Sequence, residues 1–221
     1  MGIRKLTGVY TDAILSIVIL PGVLLAFAGV AIYQAKQAGK NFVAMADKLG
    51  LTLETTGRFF KKHRLTGQLR GKPVEVFSYT TGAGKSRRTW AAMAVAVGKT
   101  GGLTFSLERK VAFIDFFARL FRKIDVKTGD EVFDQQWLLK TNQPELMRAI
   151  LLPELRQKLM RYAGDGISSP GFKLETYRVQ YSEQGSFSTM KVCRRIEECT
   201  GLLCDLADAV EVGAEMQNPP A

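Results

Sequence analysis

The chain has 221 residues, of which 46% are apolar and 24% are charged, the ordinary composition of a folded protein. The three cysteines all lie between positions 193 and 204 and do not form the framework of a small disulfide-rich domain, and no internal repeat is present. The net charge of +10 is uneven: residues 1–50 contribute +3, residues 51–124 contribute +11 and residues 125–221 contribute −4.

The first predicted element is a transmembrane helix. Residues 13–33 form an uncharged run of 21 residues, and a hydrocarbon core of roughly 30 Å needs about 20 helical residues. Residues 1–12 would be a short N-terminal flank. The alternative is a cleaved signal peptide, since Ala26-Phe27-Ala28 resembles a cleavage site, but the apolar run is longer than the core of a signal peptide.

The charges around this run predict which side of the membrane the following domain occupies. Basic residues are more numerous after the run than before it, which favours a cytoplasmic domain. An odd, clustered set of cysteines also fits a reducing compartment.

Residues 34–50 have helical spacing and predict a juxtamembrane amphipathic helix. Alternating apolar residues then predict an antiparallel meander of about four strands. Its first hairpin turns at Arg70-Gly71, and its last two strands, at 88–97 and 103–108, are joined by a glycine-rich turn at 98–102.

The segment GAGKS at 82–86 resembles the end of a phosphate-binding loop. It lacks the first glycine of that motif, and a strand rather than a helix follows it. We therefore interpret it as a hairpin loop.

Residues 110–124 predict a helix with a narrow polar stripe, either buried in the core or lying in an interface. A strand at 135–141, a helix over 143–162 that Pro153 should interrupt, and a strand at 172–181 follow. The last predicted helix runs from 188 to 212, before a disordered tail at 213–221. Its apolar stripe consists of Val192, Ile196, Cys199, Leu203, Leu206 and Val210.

These elements predict the α+β class. An N-terminal transmembrane helix precedes a soluble domain over 51–212, with a meander sheet, packed helices and a long C-terminal amphipathic helix. Two lobes, a basic one at 51–124 and an acidic one at 125–212, are one arrangement that the charges allow.

The basic segment mixes cationic and aromatic residues, which suits anionic lipid headgroups at roughly 1 kcal/mol per well-placed cation. A solvated basic face is the alternative reading, and nucleic acid is the less favoured polyanion. The candidate lipid or anion contacts are Arg58, Lys61, Lys62, Arg64, Lys85, Arg87 and Arg88.

Asp125, Asp130 and Asp134 cluster around Gly129 and could hold Mg²⁺ or Ca²⁺. Their spacing is not that of an EF-hand, and aspartates commonly stabilise turns, which is the favoured interpretation. His63 is the only histidine, so no histidine-based metal site or catalytic triad is indicated. We therefore expect no cofactor and name no catalytic residue.

Several segments together carry a resemblance. The hairpin at 65–74, the sequence IDVKTGDEVFD at 124–134, the segment at 150–155 and the closing helix resemble a group of uncharacterised bacterial single-pass membrane-anchored proteins. The most distinctive shared motif is G-D-x-x-F-D at 129–134. The resemblance implies a bacterial origin, hence the cytoplasmic (inner) membrane, and a shared fold, but no activity or site residues.

The sequence therefore predicts a non-enzymatic membrane-anchored module. Its basic half would face anionic lipid, and its acidic half would bind a protein partner through the C-terminal helix. The alternative is a membrane-tethered enzyme, or a ligand- or metal-binding domain, that uses the carboxylates at 125–134.

Overall fold

The structure is a computed structural model that describes residues 3–57, 62–110, 126–164 and 166–217, with side chains of the first helix described from Gly22 onward. The helices are α1 (Ile3–Leu49), α2 (Glu131–Gln136), α3 (Pro144–Ile150), α4 (Pro153–Met160) and α5 (Met190–Gln217). The strands are β1 (Thr52–Thr56), β2 (Lys62–Leu69), β3 (Lys72–Thr81), β4 (Arg88–Ala96), β5 (Phe105–Arg109), β6 (Trp137–Thr141), β7 (Gly171–Glu175) and β8 (Arg178–Gln184).

All eight strands form one antiparallel sheet in the order β1-β2-β3-β4-β8-β7-β5-β6. Apolar side chains alternate with polar ones along the strands, so that one face of the sheet is apolar. One register row crosses every strand on this inner face and consists of Leu53, Leu65, Val76, Met93, Tyr181, Phe172, Leu107 and Leu139.

The helices pack on this inner face. α5 contacts β4 and β8, and the last turns of α1 contact β1, β2 and α5. The predicted apolar stripe of the C-terminal helix is buried throughout, which confirms that helix as amphipathic. The outer face carries half-buried polar residues such as Thr66, Glu75 and Gln180. The α+β class and the long C-terminal helix are thus confirmed.

The predicted transmembrane helix over residues 13–33 is wrong. These residues belong to α1, which continues without a break through the predicted juxtamembrane helix at 34–50 and into the domain. Within the described residues, no helix is long and apolar enough to cross a membrane. The single-pass assignment depended on this helix and is wrong with it.

The predicted pairing of the fourth meander strand is also wrong. The hairpin with its turn at Arg70-Gly71 is β2–β3, and β4 follows as its neighbour, as predicted. β5, however, lies between β7 and β6, because the chain after β4 leaves the sheet toward α5 instead of turning back. The Gly98 amide donates to Glu211 Oε1 of α5 at 2.7 Å, which holds this connection.

The second half of the chain differs from the prediction in three places. The strand predicted at 172–181 is the hairpin β7–β8. α5 extends through Gln217, into the predicted tail, because Gly213 lies against α3, where a Cβ would be 2.9 Å from Leu146. The strands of the basic and acidic segments share one sheet, since β8 pairs with β4, so they do not form two lobes.

Two further predictions concern helices. The helix predicted over 143–162 is interrupted at Pro153 as expected, which separates α3 from α4. The helix predicted over 110–124 lies outside the described residues, apart from Lys110.

Candidate functional site

Five of the seven predicted cationic contacts are described, and Arg58 and Lys61 lie outside the described residues. Lys62 begins β2, Arg88 begins β4, and Lys85 and Arg87 lie in the β3–β4 turn. Because β2, β3 and β4 run antiparallel to their neighbours, these positions meet at one end of the sheet.

The first helix passes this same end. A Cβ at Gly39 would lie 3.2 Å from His63 Nε2, and the Phe42 and His63 ring centroids are 5.6 Å apart. Lys36 and Lys40 of α1 are therefore added to the cationic group. We call the resulting surface the basic end, and it consists of Lys36, Lys40, Lys62, Lys85, Arg87 and Arg88.

The cations of the basic end are exposed, and none of the six forms an ion pair with another described residue. Arg64, the remaining predicted contact, differs from them. It lies on the outer face of β2 and pairs with Glu75, with 3.1 Å between Arg64 Nε and Glu75 Oε1. The ion pair sets Arg64 apart from the basic end.

The described part of α1 beyond the domain presents an exposed apolar surface. Seven large apolar side chains there are between 46% and 73% exposed, which is unusual for a stretch this short. They are Val23, Leu24, Leu25, Phe27, Val30, Ile32 and Tyr33.

A cavity of about 590 Å³ lies between α1 and the ends of strands β2, β3 and β4. Its apolar wall comes from Ile32, Phe42 and Phe187, and Lys36 and Lys62 also line it. His63, also in the lining, is half-buried in β2, and Thr55 Oγ1 lies 3.0 Å from its Nδ1. The site thus combines apolar surface with cationic nitrogens.

Lys36 and Lys40 are not among the cations predicted from the sequence. They follow the apolar run at a spacing of four, so continuing the helix past residue 33 would have placed both on one face of α1. The predicted break between a membrane span and a separate helix hid this continuity.

The predicted metal candidates have structural contacts. Asp134 accepts hydrogen bonds from the Thr128 amide at 3.0 Å and from the Thr128 hydroxyl at 2.9 Å. Asp130 caps α2 by accepting from the Phe133 amide at 3.1 Å, and lies 3.2 Å from Arg156 Nε. Asp125 is outside the described residues. In the described ranges, no group of three or more His, Cys, Asp or Glu residues could hold a metal ion.

The acidic residues of α5 pair mainly with cations of the same chain. Asp205 lies 2.7 Å from Arg70 Nη1, Glu211 lies 2.6 Å from Lys72 Nζ, and Glu197 pairs with Lys48. This surface therefore helps to hold α5 on the sheet. A protein partner for it remains a prediction.

The three cysteines are free and buried in α5. Burial raises the pKa of the Cys193 thiol to about 11 and that of the Cys199 thiol well above its ordinary value. Thiolate is the reactive form, so these residues act as small apolar side chains.

The fold and these surfaces define an α+β protein with one antiparallel sheet, helices on its inner face, and a cationic end beside an exposed apolar helix. No family model and no curated protein matches the chain. Among solved structures it is similar to the crystal structure of the mycobacterial trehalose monomycolate transport factor A, TtfA. The two are 11% identical with a TM-score of 0.46, and the match covers 79% of this chain and 95% of that one. Similarity this low establishes neither a shared family nor a shared function.

Proposed function

We propose that this protein is a non-enzymatic module that binds an anionic lipid surface through its basic end. The observation that carries the proposal is the meeting of six exposed cations, unpaired among the described residues, with the exposed apolar surface of α1. An anionic bilayer offers both complementary features, negative headgroups and an apolar interior below them.

The size of the effect follows from the charges. If four of the six cations engage at once, their attraction to anionic lipid is roughly 4 kcal/mol, which corresponds to about millimolar affinity. Apolar side chains of α1 that enter the interface add about 25 cal/mol for each Å² removed from water. Charge and apolar contact together are then sufficient for reversible binding.

The proposal leaves the cytoplasmic location as a prediction. Free, buried cysteines are compatible with a reducing compartment. The described carboxylates of the enzymatic alternative, Asp130 and Asp134, are engaged by contacts of their own loop and of Arg156.

Cosedimentation of the full chain with lipid vesicles tests the proposal. We expect binding to phosphatidylglycerol vesicles that weakens with added salt, and much weaker binding to phosphatidylcholine vesicles. The double variant Lys85→Gln/Arg88→Gln should bind about 30-fold more weakly, because it removes roughly 2 kcal/mol of attraction.

The matched control is Lys99→Gln/Arg148→Gln, which also removes one lysine and one arginine but outside the basic end. Both side chains are exposed, at 74% and 41%, and their pairs with Glu215 and Glu145 contribute little. Equal binding to neutral vesicles, or an equal loss in both double variants, would contradict the proposal. Preferential binding to RNA or DNA over anionic vesicles would do the same.

A further inference from the structure

A second group of cations lies along α5, beside the β2–β3 turn and α4. Arg70 is in the β2–β3 turn, and the eight residues of β2 separate it from Lys62 of the basic end by roughly 25 Å. A cavity of about 510 Å³ opens there against α4 and α5. Its charged lining consists of Arg70, Lys158, Arg161, Arg195, Glu198 and Asp205.

Two of these cations are held in place by one carboxylate. Asp205 lies 2.7 Å from Arg70 Nη1 and 2.6 Å from Lys158 Nζ. Arg70 lies close to α5 at Gly201, where a Cβ would be 3.6 Å from Arg70 Nη2, an ordinary van der Waals contact. The turn, α4 and α5 therefore each fix one wall of the cavity.

A third cation is held from the core side. Arg195 Nε donates to Glu183 Oε2 at 2.8 Å, and Glu183 is fully buried. The Tyr181 hydroxyl donates to the same oxygen at 3.2 Å, while Glu183 Oε1 has no hydrogen-bond partner among the described residues. The guanidinium that lines the cavity is thus positioned by a buried carboxylate.

The charges of the lining do not cancel. Four cations face two carboxylates of the lining, and the buried Glu183 behind Arg195 adds a third, which leaves a formal excess of +1 at the cavity. Arg161 ends α4, is exposed, and forms no ion pair within the described ranges. A set of ion pairs that served only to hold α4 and α5 together would need neither this excess charge nor an open cavity.

We propose that this cavity binds a small polyanion of the phosphate class, such as a diphosphate group. Three guanidinium groups present planar sets of N–H donors that match phosphate oxygens, and the lysine adds a point charge. Asp205 and Glu183 hold the cations before the ligand arrives, so less conformational entropy is lost on binding. This site is separate from the lipid-binding surface proposed above.

Titration calorimetry of the full chain with inorganic pyrophosphate, at fixed ionic strength, tests this inference. We expect saturable binding at one site, with orthophosphate binding at least tenfold more weakly. Arg161→Gln should weaken pyrophosphate binding at least tenfold while leaving the melting temperature unchanged, because Arg161 has no structural ion pair in the described part of the chain.

Two controls separate the cavity from general surface charge. Arg194→Gln removes an exposed arginine next to Arg195 that does not line the cavity, and should change the dissociation constant less than twofold. Lys85→Gln/Arg88→Gln should bind pyrophosphate as the unaltered chain does. The inference is overturned by the absence of saturable binding, by an equal loss in Arg194→Gln, or by a loss in the basic-end variant.

Discussion

Glu183 is the residue whose environment departs most from what its type suggests. It is a carboxylate on the inner face of the sheet with no exposed surface, next to Tyr181 and Arg195. Burial raises the pKa of the Glu183 carboxyl, against the opposing hydrogen bond and charge of Arg195. A raised pKa in an acid means that its contribution to stability is full below the unfolded value and is lost as the pH rises through the folded value. The charge and hydrogen bond of Arg195 oppose the rise in this pKa and so limit the loss of stability.

We therefore predict that Arg195→Gln destabilises the protein in a pH-dependent way. At pH 7 the buried carboxylate would have no countercharge, which costs about 3–5 kcal/mol of unfolding free energy. At about pH 4.5 the loss should be smaller, because the Glu183 carboxyl can take up a proton and become neutral. Urea unfolding at both pH values measures the difference. Arg194→Gln is the control and should change neither value, and a loss of the same size at both pH values would contradict the explanation.

At the scale of single elements, the β7–β8 hairpin has an unusual turn. Its two turn residues, Thr176 and Tyr177, have φ of 50° and 60°. A two-residue turn with both φ values positive normally has Asn-Gly or a similar pair, because bulky side chains and those branched at Cβ are strained there. The corresponding β2–β3 turn, Arg70-Gly71, has glycine at its second position. This contrast explains why the sequence predicted one hairpin and missed the other.

The double substitution Thr176→Asn/Tyr177→Gly should stabilise the protein by about 1 kcal/mol, because it relieves backbone strain at two positions. Tyr177 is 59% exposed, so its removal loses little buried surface. The midpoint of urea unfolding should rise. Thr176→Ala/Tyr177→Ala truncates the same side chains without easing the positive φ values, and an equal gain in that variant would show that strain is not the cause.

At the scale of the whole molecule, ion pairs hold α5 along its length. Asp205 pairs with Arg70 and Lys158, and Glu211 pairs with Lys72 and accepts from the Gly98 amide. Burial alone would raise the pKa of both carboxyls, but these hydrogen bonds and neighbouring cations lower the pKa of each below its ordinary value. Their stabilising effect is therefore present above the unfolded pKa values near 4 and is lost as the pH falls below them.

We predict that Asp205→Asn/Glu211→Gln lowers the free energy of unfolding at pH 7 by about 2 kcal/mol, about 1 kcal/mol for each of the two partly exposed carboxylates. The gap in unfolding free energy between the variant and the unaltered chain should narrow from pH 5 to pH 3, because the lowered pKa values make the unfolded chain bind protons at these carboxyls more readily than the folded chain. Urea unfolding at pH 7, 5 and 3 measures it. Glu145→Gln, at an 88% exposed side chain, is the control and should change stability by less than about 0.5 kcal/mol. A gap that stays constant with pH would contradict the prediction.

Much of the fold could be predicted wherever local pattern and tertiary packing agree. The break at Pro153, the turn at Arg70-Gly71 and the apolar stripe of α5 follow from proline geometry, turn chemistry and helical spacing, all of which act over a few residues. The placement of β5 in the sheet could not be predicted from the sequence, because a glycine-rich connection suits a tight hairpin and a longer crossing equally well. Its course depends on a contact with Glu211, more than 100 positions later in the chain.

The sequence by itself determined the class of fold, the excess of positive charge in residues 51–124 and the amphipathic C-terminal helix. Composition and periodicity are local properties, and they survive any arrangement of the elements. The tertiary structure alone decided which charges remain unpaired. The packed structure pairs the acidic residues of α5 with cations from distant segments. It leaves the cations of the basic end without ion-pair partners among the described residues. It also joined Arg70, Lys158, Arg161 and Arg195 around one cavity, because only the packed sheet and helices bring residues so far apart in the chain into contact.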